Sequence, residues 1–193
     1  MGTKQIADHF LEASKILEQF IENGENFERI QKAGDVMISA IRNGGKVISC
    51  GNGGSMSDAM HFAEEMTGRF RENRGPLAAV AISDPAHITC ISNDYGYEYI
   101  FSRFVESLGN KGDVLLAIST SGNSQNVLNA AEAARKKGIY VVALTGKDGG
   151  KLAATADLEI RAPKSQWADR VQEIHIKIIH SLIHYIESNI KLS

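Results

Sequence analysis

The chain has 193 residues, of which 43% are hydrophobic and 23% charged, enough for one domain around a single core. Twenty-one Lys and Arg against 23 Asp and Glu give a formal net charge of −2, so no basic excess exists to neutralise a nucleic-acid backbone and nucleic acid is excluded as a partner. No apolar run approaches the roughly 18 residues needed to cross a bilayer, and the polar opening MGTKQIADHF lacks the apolar stretch of a signal peptide, so a cytoplasmic chain with no membrane partner is expected.

Ile6, Phe10, Ala13, Leu17 and Phe20 recur in alternating steps of four and three, which predicts a helix over residues 4–22 with one apolar seam. Asn23-Gly24 ends it. A second helix carries Phe27, Ile30, Met37 and Ile41 on one side and stops at Asn43-Gly44-Gly45. Beyond that point short β-branched runs alternate with helical stretches. The expected strands are Lys46–Cys50, Ala79–Ile82, Val114–Ile118, Tyr140–Leu144 and Leu158–Ile160, with helices over about 55–68, 97–108 and 124–137. Fully apolar strands separated by helices predict a parallel sheet covered on both faces. No Pro/Ser-rich linker interrupts the pattern. One structural unit is therefore expected, with residues 1–44 as an N-terminal helical extension and residues 45–193 as an α/β domain. Cys50 and Cys90 form no CxxC or zinc-knuckle spacing; both stand among apolar neighbours and read as buried thiols.

The last helix, about 168–190, has two apolar stripes: Val171, Ile174, Ile178 and Leu182, and Ile176, Ile179, Ile183 and Ile186. A helix apolar on two sides is buried on two sides. Either it packs between subunits of an oligomer, together with the seam of the first helix, or the N-terminal helices cover it within one chain.

Two strand–loop–helix units carry the polar chemistry. In the second, the loop STSGNS offers the hydroxyls of Ser119, Thr120, Ser121 and Ser124, and Gly122 lets the backbone turn tightly. The following helix points its free N–H groups and positive dipole end at the loop, an arrangement suited to a phosphate dianion. A capped helix after a polar turn would use only one of those hydroxyls. In the first unit, Gly51-Asn52-Gly53-Gly54-Ser55 opens a helix after a strand without matching a Walker A or G-x-G-x-x-G spacing. It can present backbone N–H groups and the Asn52 amide to ligand hydroxyls. Ligands of open α/β sheets sit off the carboxyl ends of the strands, where both loops fall.

His61 and Glu65 stand four apart on one helix face, close below the GNGGS loop, and could bind zinc or exchange protons, although surface i,i+4 pairs are common. On the last helix, Gln172 and His180 lie eight apart, about 80° around the axis and roughly 12 Å along it. They fit one site most easily where neighbouring subunits build it together. His184 reads as a solvated residue near the chain end, and His175 has no evident partner. Asn93-Asp94-Tyr95-Gly96 reads as a turn after a helical stretch.

The segments CGNGGS-x₂-DAMHFAEE-x-TGR, ISND-x-GY, GDVLLAISTSGNS, ALTGKDGGK and ADR-x-QEIHIK-x-IH together resemble the phosphoheptose isomerases of the sugar-isomerase (SIS) domain superfamily over nearly the whole chain. STSGNS alone marks the superfamily; HFAEE with QEIHIK and a His five residues on marks the isomerases. The resemblance implies a three-layer α/β/α fold with a five-stranded parallel sheet, assembled as a homotetramer. It implies conversion of sedoheptulose 7-phosphate to D-glycero-D-manno-heptose 7-phosphate, the first step towards the ADP-heptose of the lipopolysaccharide core. By position it implies one zinc ion per subunit on His61, Glu65, Gln172 and His180. The implied substrate contacts are Asn52, Gly53, Gly54, Glu65, Asn93, Asp94, Ser119, Thr120, Ser121, Ser124 and Gln172, and the implied acid/base pair is Glu65 and His180. A non-catalytic SIS module would be expected to lack the Glu65 carboxylate and the His180 imidazole. An isomerase of arabinose 5-phosphate or of a hexulose 6-phosphate would share the chemistry and differ in pocket length.

Overall fold

The computed structural model describes residues 2–190. Five parallel strands, β1 (Val47–Gly51), β2 (Ala79–Ala81), β3 (Val114–Ser119), β4 (Tyr140–Thr145) and β5 (Leu158–Arg161), form one sheet in the order β2-β1-β3-β4-β5. All five expected strands are present, with shifts of one residue at most ends. Alternation along each strand sends side chains to opposite faces. Val114, Leu116 and Ile118 of β3 join one core, and Leu115 and Ala117 join the other.

The first core is closed by α2 (Glu25–Arg42), α3 (Gly54–Thr67) and α8 (Ala168–Asn189), with α1 (Thr3–Glu22) lying outside on α8. The second is closed by α5 (Ile100–Leu108) and α6 (Gln125–Lys136), with α4 (Pro85–Asp94) and the short α7 (Gly150–Thr155) at its edge. The result is the expected three-layer α/β/α arrangement. Two helices depart from the expected pattern. Helix α7 was not foreseen, because six residues are too few for an apolar period to emerge. Helix α4 runs to Asp94, so Asn93 and Asp94 are its last residues rather than a turn. Asp84 caps α4 by accepting from the His87 N–H, and Pro85 stands at its first position, start signals that outrank the weak apolar period.

Both stripes of α8 are covered within the chain except at Ile176, which is half-buried. Val171, Ile174, Ile178, Ile179, Leu182, Ile183 and Ile186 are buried against the sheet, α2 and α3. The seam of α1 buries only Phe20, while Ile6, Phe10 and Leu11 stay exposed. Cys50 is buried, and burial pushes its thiol up to about 12. Cys90 corrects the expectation of two buried thiols: it is exposed on α4, a helix with no buried residue that packs against α5 and the turn before it. Among the described residues, no helix is long and apolar enough to cross a membrane.

His175 acquires a partner. It is fully buried on α8, and its Nε2–H donates to the Thr145 carbonyl at 2.8 Å, at the end of β4. Burial pushes its pKa down to about 4, with the Thr145 bond opposing that shift. An unfolded imidazole titrates near 6.5. Between about pH 6.5 and pH 4 the unfolded chain therefore binds a proton that the folded chain refuses. The stability carried by neutral His175 is complete above about pH 6.5 and is lost as pH falls towards 4, to a total of about 3 kcal/mol. Urea unfolding of the native chain and His175→Gln at pH 7 and pH 4.5 should show the variant losing about 2 kcal/mol less over that interval; equal losses would remove His175 as the titrating group.

Candidate active site at the strand ends

The order β2-β1-β3-β4-β5 reverses direction between β1 and β3, and a doubly wound sheet binds its ligands at such a reversal. The register pairs Gly51 with Ile118, so Asn52 leaves the sheet beside Ser119, the last residue of β3. The GNGGS and STSGNS loops thus converge over the switch point. Gly122 has φ +64°, and a Cβ there would run into the Gly149 carbonyl. No other residue satisfies both the conformation and the space. The loop after β4 closes directly on STSGNS as a result.

Ser124 occupies the N-cap of α6 without capping it. Its hydroxyl lies 3.1 Å from that of Ser119, and the Ser121 hydroxyl accepts from the Asn123 N–H. The positive end of α6 therefore opens onto a rim of hydroxyls instead of being closed by one, which suits an anion. Asn93 and Asp94 are exposed and bonded to each other at 2.8 Å, and the Cys90 thiol donates to Asp94 at 3.6 Å.

Helices α3 and α8 run side by side in the same direction. Gln172 packs its amide against Gly54 at the start of α3. Seven and eight residues further on, His61 Nε2 and His180 Nε2 face each other at 3.0 Å. Glu65 Oε1 is 3.9 Å from His61 Nε2 on the same side. One chain thus brings together His61, Glu65 and His180 and leaves Gln172 roughly 11 Å away along the helix axes, beside the GNGGS loop. His180 is held below its ordinary pKa by burial first, then by the charges of His61 and Lys177, so it rests as a neutral imidazole with one N–H and one lone pair. Phe70 stacks on it with ring centroids 5.7 Å apart.

This group fits a metal ion. Two nitrogens on one tetrahedral centre with bonds of about 2.0 Å stand about 3.3 Å apart, close to the 3.0 Å seen between His61 and His180. Glu65 offers a carboxylate oxygen on the same side, and Glu64 lies 3.6 Å from the opposite nitrogen of His61, where it can fix that ring's orientation. Without an ion, the same separation is that of a hydrogen bond between the two rings.

Three supporting residues lie outside the sequence reading. Arg74 caps the end of α3: its guanidinium donates to the carbonyls of Glu65, Met66 and Gly68. Glu187 of α8 accepts from Arg74 Nε and from the backbone N–H groups of Phe70, Arg71 and Glu72. Burial opposes ionisation of Glu187, but these donors outweigh it and its pKa lies below the ordinary carboxylate value. Asp58, one turn before His61, has a buried oxygen without a partner, and burial lifts its pKa to about 6 against the pull of His61. For Arg74 and Glu187, 113 positions apart, no local signal exists. Asp58 was detectable as the same helix face one turn earlier.

A parallel sheet of this order with serine-rich and glycine-rich loops at its switch point defines the class of SIS-domain proteins, and the SIS domain family model matches residues 8–146. The phosphoheptose isomerase of Cytophaga hutchinsonii is 62% identical over 179 residues, covering 93% of this chain and 94% of that protein. The solved phosphoheptose isomerase of Neisseria gonorrhoeae superposes with a TM-score of 0.89 at 43% identity, over 96% of this chain and 98% of that one. That of Francisella tularensis superposes with a TM-score of 0.92 at 37% identity, over 98% of this chain and 100% of that one. The chain belongs to the phosphoheptose isomerase family and is an isomerase.

Two substitutions test the supports. Gly122→Ala should destabilise the chain by about 2 kcal/mol or more, read from denaturant midpoints, because strain and collision with Gly149 add. Glu187→Ala leaves the half-capped Arg74 without its carboxylate and should cost about 3 kcal/mol; faster hydrogen exchange confined to amides 68–76 would localise the effect.

Proposed function

We propose that this isomerase converts sedoheptulose 7-phosphate to D-glycero-D-manno-heptose 7-phosphate by proton transfer through a cis-enediol. The observation that carries this reading is the convergence of His61, Glu65 and His180 in a chain whose strand ends also carry a rim of hydroxyls. The phosphate docks on Ser119, Thr120, Ser121 and Ser124 at the start of α6, so remote binding energy orients the reacting end. Asn52, Gly53, Gly54, Asn93, Asp94 and Gln172 contact the sugar.

Glu65 takes the proton from C1 and returns it to C2 on the same face of the planar enediol. His180, neutral with one N–H and one lone pair, gives a proton to O2 and takes one from O1, so the proton count closes. His61, Glu65 and His180 would hold one zinc ion per subunit, and Gln172, roughly 11 Å away within the chain, would join them only from a neighbouring subunit. Such an ion supplies Lewis-acid polarisation of the carbonyl and stabilises negative charge on its oxygen. A metal on Glu65 would lower the basicity of its carboxylate as a whole, so to act on C1 Glu65 would bind the ion loosely through one oxygen or leave it during turnover.

The enzyme works in the cytoplasm as a homotetramer with sites at subunit interfaces. The exposed Ile6, Phe10, Leu11, Ile21 and Phe27 of α1 and α2 support that assembly. Its product feeds ADP-heptose synthesis for the lipopolysaccharide core.

Turnover of sedoheptulose 7-phosphate, with the product identified by NMR, tests the reading. Glu65→Gln should lower kcat by about 10²- to 10⁴-fold while still binding the sugar phosphate. A native chain that turns over arabinose 5-phosphate or a hexulose 6-phosphate instead would move the assignment to a shorter substrate.

A further inference from the structure

The side chain of Asn52 stands where three segments meet. Its Nδ2 donates to Asn126 Oδ1 at 2.9 Å, and Asn126 Nδ2 donates back to Asn52 Oδ1 at 2.8 Å. The Tyr97 hydroxyl donates to the same Asn52 oxygen at 2.8 Å. Asn126 follows STSGNS on the first turn of α6, and Tyr97 follows the Asn93-Asp94 end of α4. The three stretches that carry the sugar-phosphate contacts are therefore joined through one carboxamide.

The orientation of that carboxamide is determined by the network. Asn126 is almost wholly buried, and its Oδ1 accepts from the Val127 N–H at 3.0 Å, which only an oxygen can do. Asn126 Nδ2 must then face Asn52, and Asn52 must answer with its oxygen. That oxygen has two lone pairs. Asn126 uses one and Tyr97 the other. What remains on the side chain is one Nδ2–H.

We propose that Asn126 and Tyr97 are positioning residues that saturate the oxygen of Asn52, so that Asn52 meets the sugar phosphate only as a hydrogen-bond donor. Its partner is then an acceptor oxygen of the ligand. The proposal rests on the reading of Asn52 as a substrate contact. Tyr97 acts from the outside: the residue is 52% exposed, and its hydroxyl reaches inward to Asn52. Without that hydroxyl the Asn52 oxygen would regain a lone pair and the amide would lose one of its three hydrogen bonds.

A double-mutant cycle separates the possibilities. Dissociation constants for sedoheptulose 7-phosphate are measured by calorimetry, and kcat by turnover, for the native chain, Tyr97→Phe, Asn52→Ala and the double variant, each checked for an unchanged thermal transition. Tyr97→Phe should weaken binding roughly three- to tenfold with kcat changed less than about twofold. In the Asn52→Ala background the same substitution should change binding by less than about twofold. Equal weakening in both backgrounds, or none in the native one, overturns the positioning role. An Asn52→Ala chain that binds as well as the native one overturns the contact on which the proposal rests while leaving the isomerase intact. A native chain that neither binds nor turns over this sugar phosphate overturns the substrate reading itself.

Discussion

The bond from His175 to the Thr145 carbonyl fixes α8 against the sheet, and that helix carries both Gln172 and His180. With His175 turned inward to the end of β4, Gln172 and His180 face α3. Gln172 meets Gly54 there, and His180 meets His61. A one-residue slip of α8 would rotate every side chain by about 100° and disperse the contacts together. The buried imidazole accepts a cost for this role. Its Nδ1 lone pair has no partner, an unsatisfied acceptor that disfavours the folded state by about 1–3 kcal/mol.

The anion end and the proton-transfer end are built by different physics. At the strand ends, parallel register brings two loops out beside each other, and an uncapped helix terminus supplies oriented N–H groups. That end requires little side-chain chemistry beyond small hydroxyls and glycine. At the other end, helical spacing places His61 and Glu65 on one face, and a second helix adds His180. Its precision depends on α3 ending where Arg74 caps it, and on Glu187 holding Phe70 against the His180 ring. A buried ion pair of this kind adds little net stability. It does determine which loop conformation is populated.

The arrangement also explains why α8 is apolar on two sides. Its inner stripe packs on the sheet and α2, and its second stripe is covered in part by α3. The surface that stays apolar and open belongs to α1 instead, where Ile6, Phe10 and Leu11 project from a helix anchored near its middle and start by Glu12 and His9 on the buried Arg170.

The amino-acid sequence by itself determined the five strands, the long helices, the parallel sheet and the two loops that carry hydroxyls and glycines. Each of these is a local pattern: β-branched runs, 3.6-residue periods, and small residues between a buried strand and a helix start. It also placed His61 with Glu65, because four residues on a helix is a fixed geometry. Only the tertiary structure decided that His180 reaches His61 within one chain while Gln172 stays at Gly54, that Cys90 is exposed, and that Asn93 and Asp94 end a helix. It alone disclosed Arg74 with Glu187, His175 with Thr145, and Asn52 with Asn126 and Tyr97. Those pairs are 30 or more positions apart, and their meeting is set by sheet order and helix packing, which leave no periodic trace in the residues they join.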